Sequence, residues 1–166
     1  MTYARTATEV QALATSLSSV LTRSASLTAA TPGSSVREVS GATGASGQIL
    51  DVLVIDDHDL ARGPAAAALA DLAHHLPYGT ENGLRLILVR RVTGYSRAAY
   101  DPLVCALREI GAPGVLLSGD PIEGPVLHGV RAERRPPGRG LLLRADGGQV
   151  TVQVAAFPTP DLDPAG

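Results

Sequence analysis

The string DVLVIDDHDLARG, residues 51–63, constrains this chain more than any other stretch. A short, almost wholly apolar run has the length of a buried strand, and it ends in two adjacent carboxylates, Asp56 and Asp57. Acids at the tip of an apolar strand suit two kinds of machine. In a phosphoacceptor receiver domain they hold a magnesium ion beside a phosphorylated aspartate. In a P-loop ATPase the same arrangement is the Walker B strand, where one acid reaches magnesium and its neighbour can orient a water. A third reading needs no chemistry: Asp57 or Asp59 turns the chain after a strand.

The receiver alternative fails on composition. It requires a lysine after its last strand, and the chain has none; all its Lys+Arg residues are arginine. The next apolar strand, LRLILVR at 84–90, ends in arginines with no acid at its tip. Asp101 lies at a plausible distance, but DP at 101–102 is a helix start, a cap followed by proline in the first turn. The Walker B reading survives, alongside the turn.

Around these strands the pattern is that of an α/β chain. Val10, Leu13, Leu17, Val20 and Leu21 form a helical stripe over residues 7–23, and Thr6 and Glu9 have capping-box spacing. Residues 24–48 are rich in Ser, Thr, Gly and Ala and read as a linker. Residues 50–56 and 84–90 read as strands covered on both faces, as in a parallel sheet. Helices are expected over 64–76 and from Asp101 to about Ile110, closed by Gly111. GVLLS at 114–118 is a third strand. Two apolar runs around Asp146-Gly147-Gly148 form a hairpin, and residues 158–166 are a polar, Pro-rich tail. Strand and helix alternation predicts a parallel sheet finished by an antiparallel pair. The boundaries expected are an amino-terminal helix (1–23), the linker (24–48), an α/β domain (49–157) and the tail.

At 166 residues the chain suits one small core, and with 3% aromatic residues that core must be aliphatic. A net charge of −2 gives no case for nucleic acid. The start lacks the apolar segment of a signal peptide, no run reaches membrane-spanning length, and the single Cys105 suits a reducing compartment, so a cytoplasmic location is expected. Cys105 lies between Leu103 and Leu107 and reads as a core thiol. His74 and His75 are adjacent and cannot form an i, i+4 metal pair, and His58 and His128 have no suitably spaced partners. Asp120, in SGDPIEGP, reads as a turn residue, with a nucleotide or subunit contact as its functional alternative.

The order of several motifs adds a resemblance. VIDDHDL at 54–60, LRLILVRR at 84–91, the run YDPLVCALREIGAPGVLLSGD beginning at Tyr100, and RPPGRGLLL at 135–143 follow one another. Residues 3–157 thereby resemble the carboxy-terminal ATPase module of EccC, the motor of type VII secretion systems, within the FtsK/SpoIIIE superfamily. The resemblance implies a RecA-like P-loop fold with its P-loop half missing. No G-x-x-x-x-G-K-[ST] is present, and GATGASGQ at 41–48 lacks the lysine. It also implies roles. Asp56 would bind magnesium as metal ligand and cofactor contact, Asp57 would act catalytically on water, and Arg90 would face nucleotide phosphate. The alternative for Arg90 and Arg91 is that one is solvent-exposed and the other pairs with an acid such as Asp56 or Asp57.

ATP and Mg2+ would be cofactors only where another chain supplies the P-loop. Partners would be subunits of the secretion motor or its membrane complex, and WXG-type substrates, with no direct membrane insertion. A substrate-binding module without hydrolysis, or a non-functional gene fragment, is the alternative. A half-domain should also expose apolar strand surface, expected at Leu53 and Ile55.

Overall fold

Thr6 and Glu9 close the predicted capping box. The Glu9 N–H donates to Thr6 Oγ1 (3.3 Å), and Glu9 Oε2 accepts the N–H groups of Thr6 (3.0 Å) and Arg5 (2.8 Å). The helix thus started, α1 (Ala7–Ala29), continues beyond the predicted 7–23. The structure, a computed structural model, describes residues 2–29 and 52–155; most of the expected linker and the carboxy-terminal tail lie outside them. Along α1 the inward stripe runs through Val10, Ala14, Leu17 and Leu21, while Val20 is exposed.

Two units divide the chain, residues 1–91 with 97–110, and residues 92–96 with 111–166. In the first, β1 (Val52–Ile55) leads through a 3-10 turn (His58–Leu60) into α2 (Gly63–Asp71), which opens on Pro64 as expected. The helix predicted over 64–76 is shorter, and a 3-10 segment, Leu72–Tyr78, replaces its end. Pro77 explains the change: it has no N–H, and its ring clashes with the carbonyl four residues earlier in an α-helix. After the short α3 (Gly79–Asn82) comes β2 (Arg85–Leu88), parallel to β1 with Leu53 opposite Leu86 and Ile55 opposite Leu88. The short α4 (Tyr95–Ala98) precedes α5 (Pro102–Glu109), which is capped by Asp101. Asp101 Oδ1 accepts from the Leu103 and Val104 N–H groups, and Gly111 follows at φ 64°.

The core of this unit joins Ala14 and Leu21 of α1, Ala68 and Leu69 of α2, Leu72, Leu76 and Leu84, Leu103 and Ala106 of α5, and Ile55. Leu53, Leu86 and Leu88 pack against it. Only one face of the parallel pair is therefore covered. Val52 (59%), Val54 (58%), Ile87 (51%) and Val89 (46%) remain exposed, whereas Ile55 is at 8%. Both strands were expected to be covered on each face, and the exposed apolar residues were expected to be Leu53 and Ile55. The structure exchanges the faces, because period-2 alternation sends Leu53 and Ile55 to the helices and their neighbours outward.

The second unit contains β3 (Gly114–Leu116), a 3-10 turn (Pro121–Glu123), and the hairpin of β4 (Arg139–Leu143) and β5 (Gln149–Gln153). The third strand does not extend the parallel pair but lies antiparallel to β4, with Leu116 opposite Leu141. Gly140 permits this, since a Cβ there would meet the Leu116 carbonyl at 2.9 Å. The hairpin turns as predicted: Gly147 sits at φ 83° and Asp146 Oδ1 accepts the Gly148 N–H. Asp120 caps the 3-10 turn by accepting the Ile122 N–H. Cys105 is half-buried, and its Sγ–H donates to the Ala99 carbonyl (3.1 Å).

The core and the open face of the parallel pair predict opposite mutational behaviour. Leu103→Ala should cost about 2–5 kcal/mol in urea unfolding, as expected for a fully buried leucine. The Val54→Thr/Ile87→Thr double variant should change stability by less than about 1.5 kcal/mol. It should also lower binding of a hydrophobic dye and reduce self-association in size-exclusion chromatography with light scattering.

Candidate functional site

The parallel ladder continues past the last residue of β1. The Val89 N–H donates to the Ile55 carbonyl (2.8 Å) and the His58 N–H to the Val89 carbonyl (3.0 Å). Asp56 and Asp57 lie between these bonds, at the carboxyl end of the strand pair, where open α/β sheets gather their ligands. Both acids are exposed. Asp56 Oδ1 accepts the Asp57 N–H at 2.9 Å. Asp57 is left-handed, φ 47° and ψ 40°, a region costing a non-glycine residue about 1–2 kcal/mol, though Asp visits it more readily than most.

The turn beyond is fixed by polar contacts. The Leu60 N–H donates to the Asp57 carbonyl and the Ala61 N–H to that of His58. Asp59 accepts twice from one residue of the neighbouring strand end: Oδ1 from the Arg91 N–H (3.2 Å) and Oδ2 from Arg91 Nε (2.7 Å). Arg62 Nη1 donates to the Asp59 and Ala61 carbonyls. Arg91 thus pairs with Asp59 rather than with Asp56 or Asp57. Arg90, two residues beyond β2, is half-buried, and its Nε lies 3.4 Å from the Arg91 carbonyl. Asp56, Asp57 and Arg90 therefore all sit at one end of the parallel pair.

His58 is the residue that sequence patterning missed. It is 7% exposed, its Nε2 lies 3.6 Å from Asp101 Oδ2, and its buried Nδ1 has no partner. Desolvation holds its pKa below the usual histidine value; Asp101 opposes the shift, Arg90 adds to it, and Asp59 opposes it. Asp59 itself is held below the usual carboxylate range. Its desolvation acts upward, but the hydrogen bonds and charge of Arg91 outweigh it. No local sequence signal pointed to this contact, because Asp101 is brought to His58 only by the fold.

Asp56 and Asp57 are the candidate donors for a magnesium ion. Among the described residues no group of three or more His, Cys, Asp or Glu side chains is placed to hold a metal. Two exposed carboxylates are nonetheless the kind of set magnesium uses when it keeps several waters and binds substrate phosphates.

No family model matches the chain. It is 38% identical over 108 residues to the ESX-4 secretion system protein EccC4 of Mycobacterium tuberculosis, a match covering 65% of this chain and 9% of that protein. To the ESX-5 protein EccC5 of the same species it is 34% identical over 125 residues, 75% of this chain and 9% of the relative. The solved ATPases 2 and 3 of Thermomonospora curvata EccC, in complex with a signal sequence peptide, superpose with TM-score 0.74 at 27% identity. That likeness covers 95% of this chain and 27% of the other. The cytoplasmic domain of the T. curvata type VII secretion ATPase EccC gives 0.75 at 25% identity, covering 96% of this chain and 18% of that one. Sequence and fold together place the chain among EccC proteins, and the solved relatives it superposes on are EccC ATPase domains. The chain is EccC-like, of the type VII secretion kind, and spans 9% of the length of the curated EccC4 and EccC5 proteins it matches.

The site predicts a pH dependence with a definite sign. Burial lowers the pKa of His58, and burial with the neighbouring His74 lowers that of His75. The folded state then binds fewer protons than the unfolded state below about pH 6.5, so stability falls on acidification through that value. The melting temperature should drop between pH 7.5 and 5.5, with a shallower slope in His58→Phe. The Asp59 contribution has the usual carboxylate sign, present above about pH 4 and lost as pH falls through its lower folded value. The backbone predicts a second result: Asp57→Val should cost about 1–2 kcal/mol, whereas Asp57→Gly should be neutral or stabilising by up to about 1 kcal/mol.

Proposed function

We propose that this chain contributes the acid-pair half of a nucleotide site in a type VII secretion motor. The observation that carries the reading is the exposed pair Asp56 and Asp57 at the carboxyl end of a parallel strand pair, in a chain similar to EccC ATPase domains. In this reading Asp56 would hold Mg2+, Asp57 would orient a water, and Arg90 would supply positive charge toward phosphate. A bound magnesium ion would neutralise charge on the phosphates. This stretch contains no lysine, so the backbone cradle and lysine of a P-loop would have to come from outside these residues. Its setting is the cytoplasmic side of the secretion complex; among the described residues no helix is long and apolar enough to cross a membrane.

A second reading, a module that binds the carboxy-terminal signal of a WXG-type secreted protein without hydrolysis, is favoured by one observation. The similar T. curvata EccC was solved with a signal sequence peptide.

The readings separate in a direct assay. The isolated chain should show no saturable ATP hydrolysis with Mg2+. Turnover should appear only on mixing with an EccC segment carrying a P-loop, and vanish in Asp57→Ala. Hydrolysis by the isolated chain that Asp57→Ala abolishes would overturn the need for a P-loop supplied from outside these residues. Saturable binding of a fluorescent signal peptide, with no turnover in the mixture, would favour the second reading.

A further inference from the structure

Side chains along β1 alternate: Val52 and Val54 face outward, Leu53 and Ile55 face the core. Continued extension would turn Asp56 outward and Asp57 inward, onto the aliphatic row that Ile55 ends. The chain does otherwise. Asp57 takes a left-handed backbone and stays exposed, and the next side chain, His58, is buried. The kink adds one residue to the solvent-facing side. Two consecutive carboxylates are exposed together, and the imidazole takes the inward place.

A strained conformation persists only where its surroundings over-determine it. Here the restraint comes from the residue after the kink. The His58 N–H extends the ladder to the Val89 carbonyl. Its ring is buried with Nε2 facing Asp101 Oδ2. Asp101 divides its oxygens, Oδ1 capping α5 and Oδ2 facing the histidine, so the anchor rests on a helix end already fixed by its cap. The partnerless Nδ1 argues that polar satisfaction is not what keeps the ring inside. Its shape and place are.

We infer that His58 is a positioning residue: its buried ring, seated against Asp101, holds Asp57 in the left-handed turn that presents both carboxylates to solvent. The inference deepens the proposed magnesium role of the acids, and rests on that reading only for its metal readout.

The test uses the full chain. In NMR spectra, the three-bond HN–Hα coupling and the Cα and Cβ shifts of Asp57 report its positive φ directly, without metal. His58→Ser, which loses the ring, should return Asp57 to negative φ, while His58→Phe, which keeps a ring of similar shape, should preserve the turn. Binding of Mn2+, followed by water-proton relaxation, should weaken about tenfold in His58→Ser and stay near the unaltered value in His58→Phe. Should His58→Ser not fold, His58→Asn is read in the same way. Positive φ at Asp57 in the ring-less variant would overturn the inference, as would its loss in His58→Phe. If Asp56→Ala leaves Mn2+ binding unchanged, the magnesium reading fails, and the Asp57 signals still decide the role of His58.

Discussion

The parallel pairing of β1 with β2 is the constraint on which the first unit depends. With Leu53 opposite Leu86 and Ile55 opposite Leu88, one face gathers the large aliphatic side chains that cement α1, α2 and α5 into a core. A slip of one residue would send that whole row outward and bring Val52 and Val54 in. The core has no spare aromatic bulk to absorb such a slip, because the chain's aromatic content is 3%. The same pairing sets the heights of the strand ends, and so brings Asp59 level with Arg91.

The polar end of the pair is held in layers. Backbone bonds carry the ladder to His58, the Arg91 guanidinium clasps Asp59, and the acids intended for chemistry in the proposed motor are left outside these contacts. That division is informative. Asp59 has its oxygens committed to Arg91, whereas Asp56 uses one oxygen on a local backbone N–H. Three acids within four positions thus differ in what they have left to offer a ligand.

Much of this was legible in sequence wherever the signal is local. The capping box at Thr6 and Glu9, the Asp101-Pro102 helix start, the Gly111 stop and the Asp146-Gly147-Gly148 turn all act over a few residues, and each formed as read. Strand partners were harder. A continuous apolar run reveals a strand but not its inward phase, so Leu53 and Ile55 were assigned to the wrong surface. β3 showed strand character without showing that β4 would be its neighbour. The place of Asp56 and Asp57 at the carboxyl end of a strand could be read from adjacency alone. The burial of His58 could not, because a left-handed residue resets the alternation on which such inference relies, and because Asp101 is brought to it only by the fold.

The order in which the chain visits its two units has a mechanical consequence. It leaves the first after Arg91, enters the second for Val92–Ser96, returns for Arg97–Ile110, and departs again at Gly111. Val92 and Tyr95 pack in the second unit's core, while Leu103 lies in the first's. No single backbone cut therefore separates the residues of one unit cleanly from those of the other. A protease nick at any one of these crossings leaves two fragments, at least one of which carries residues of both units.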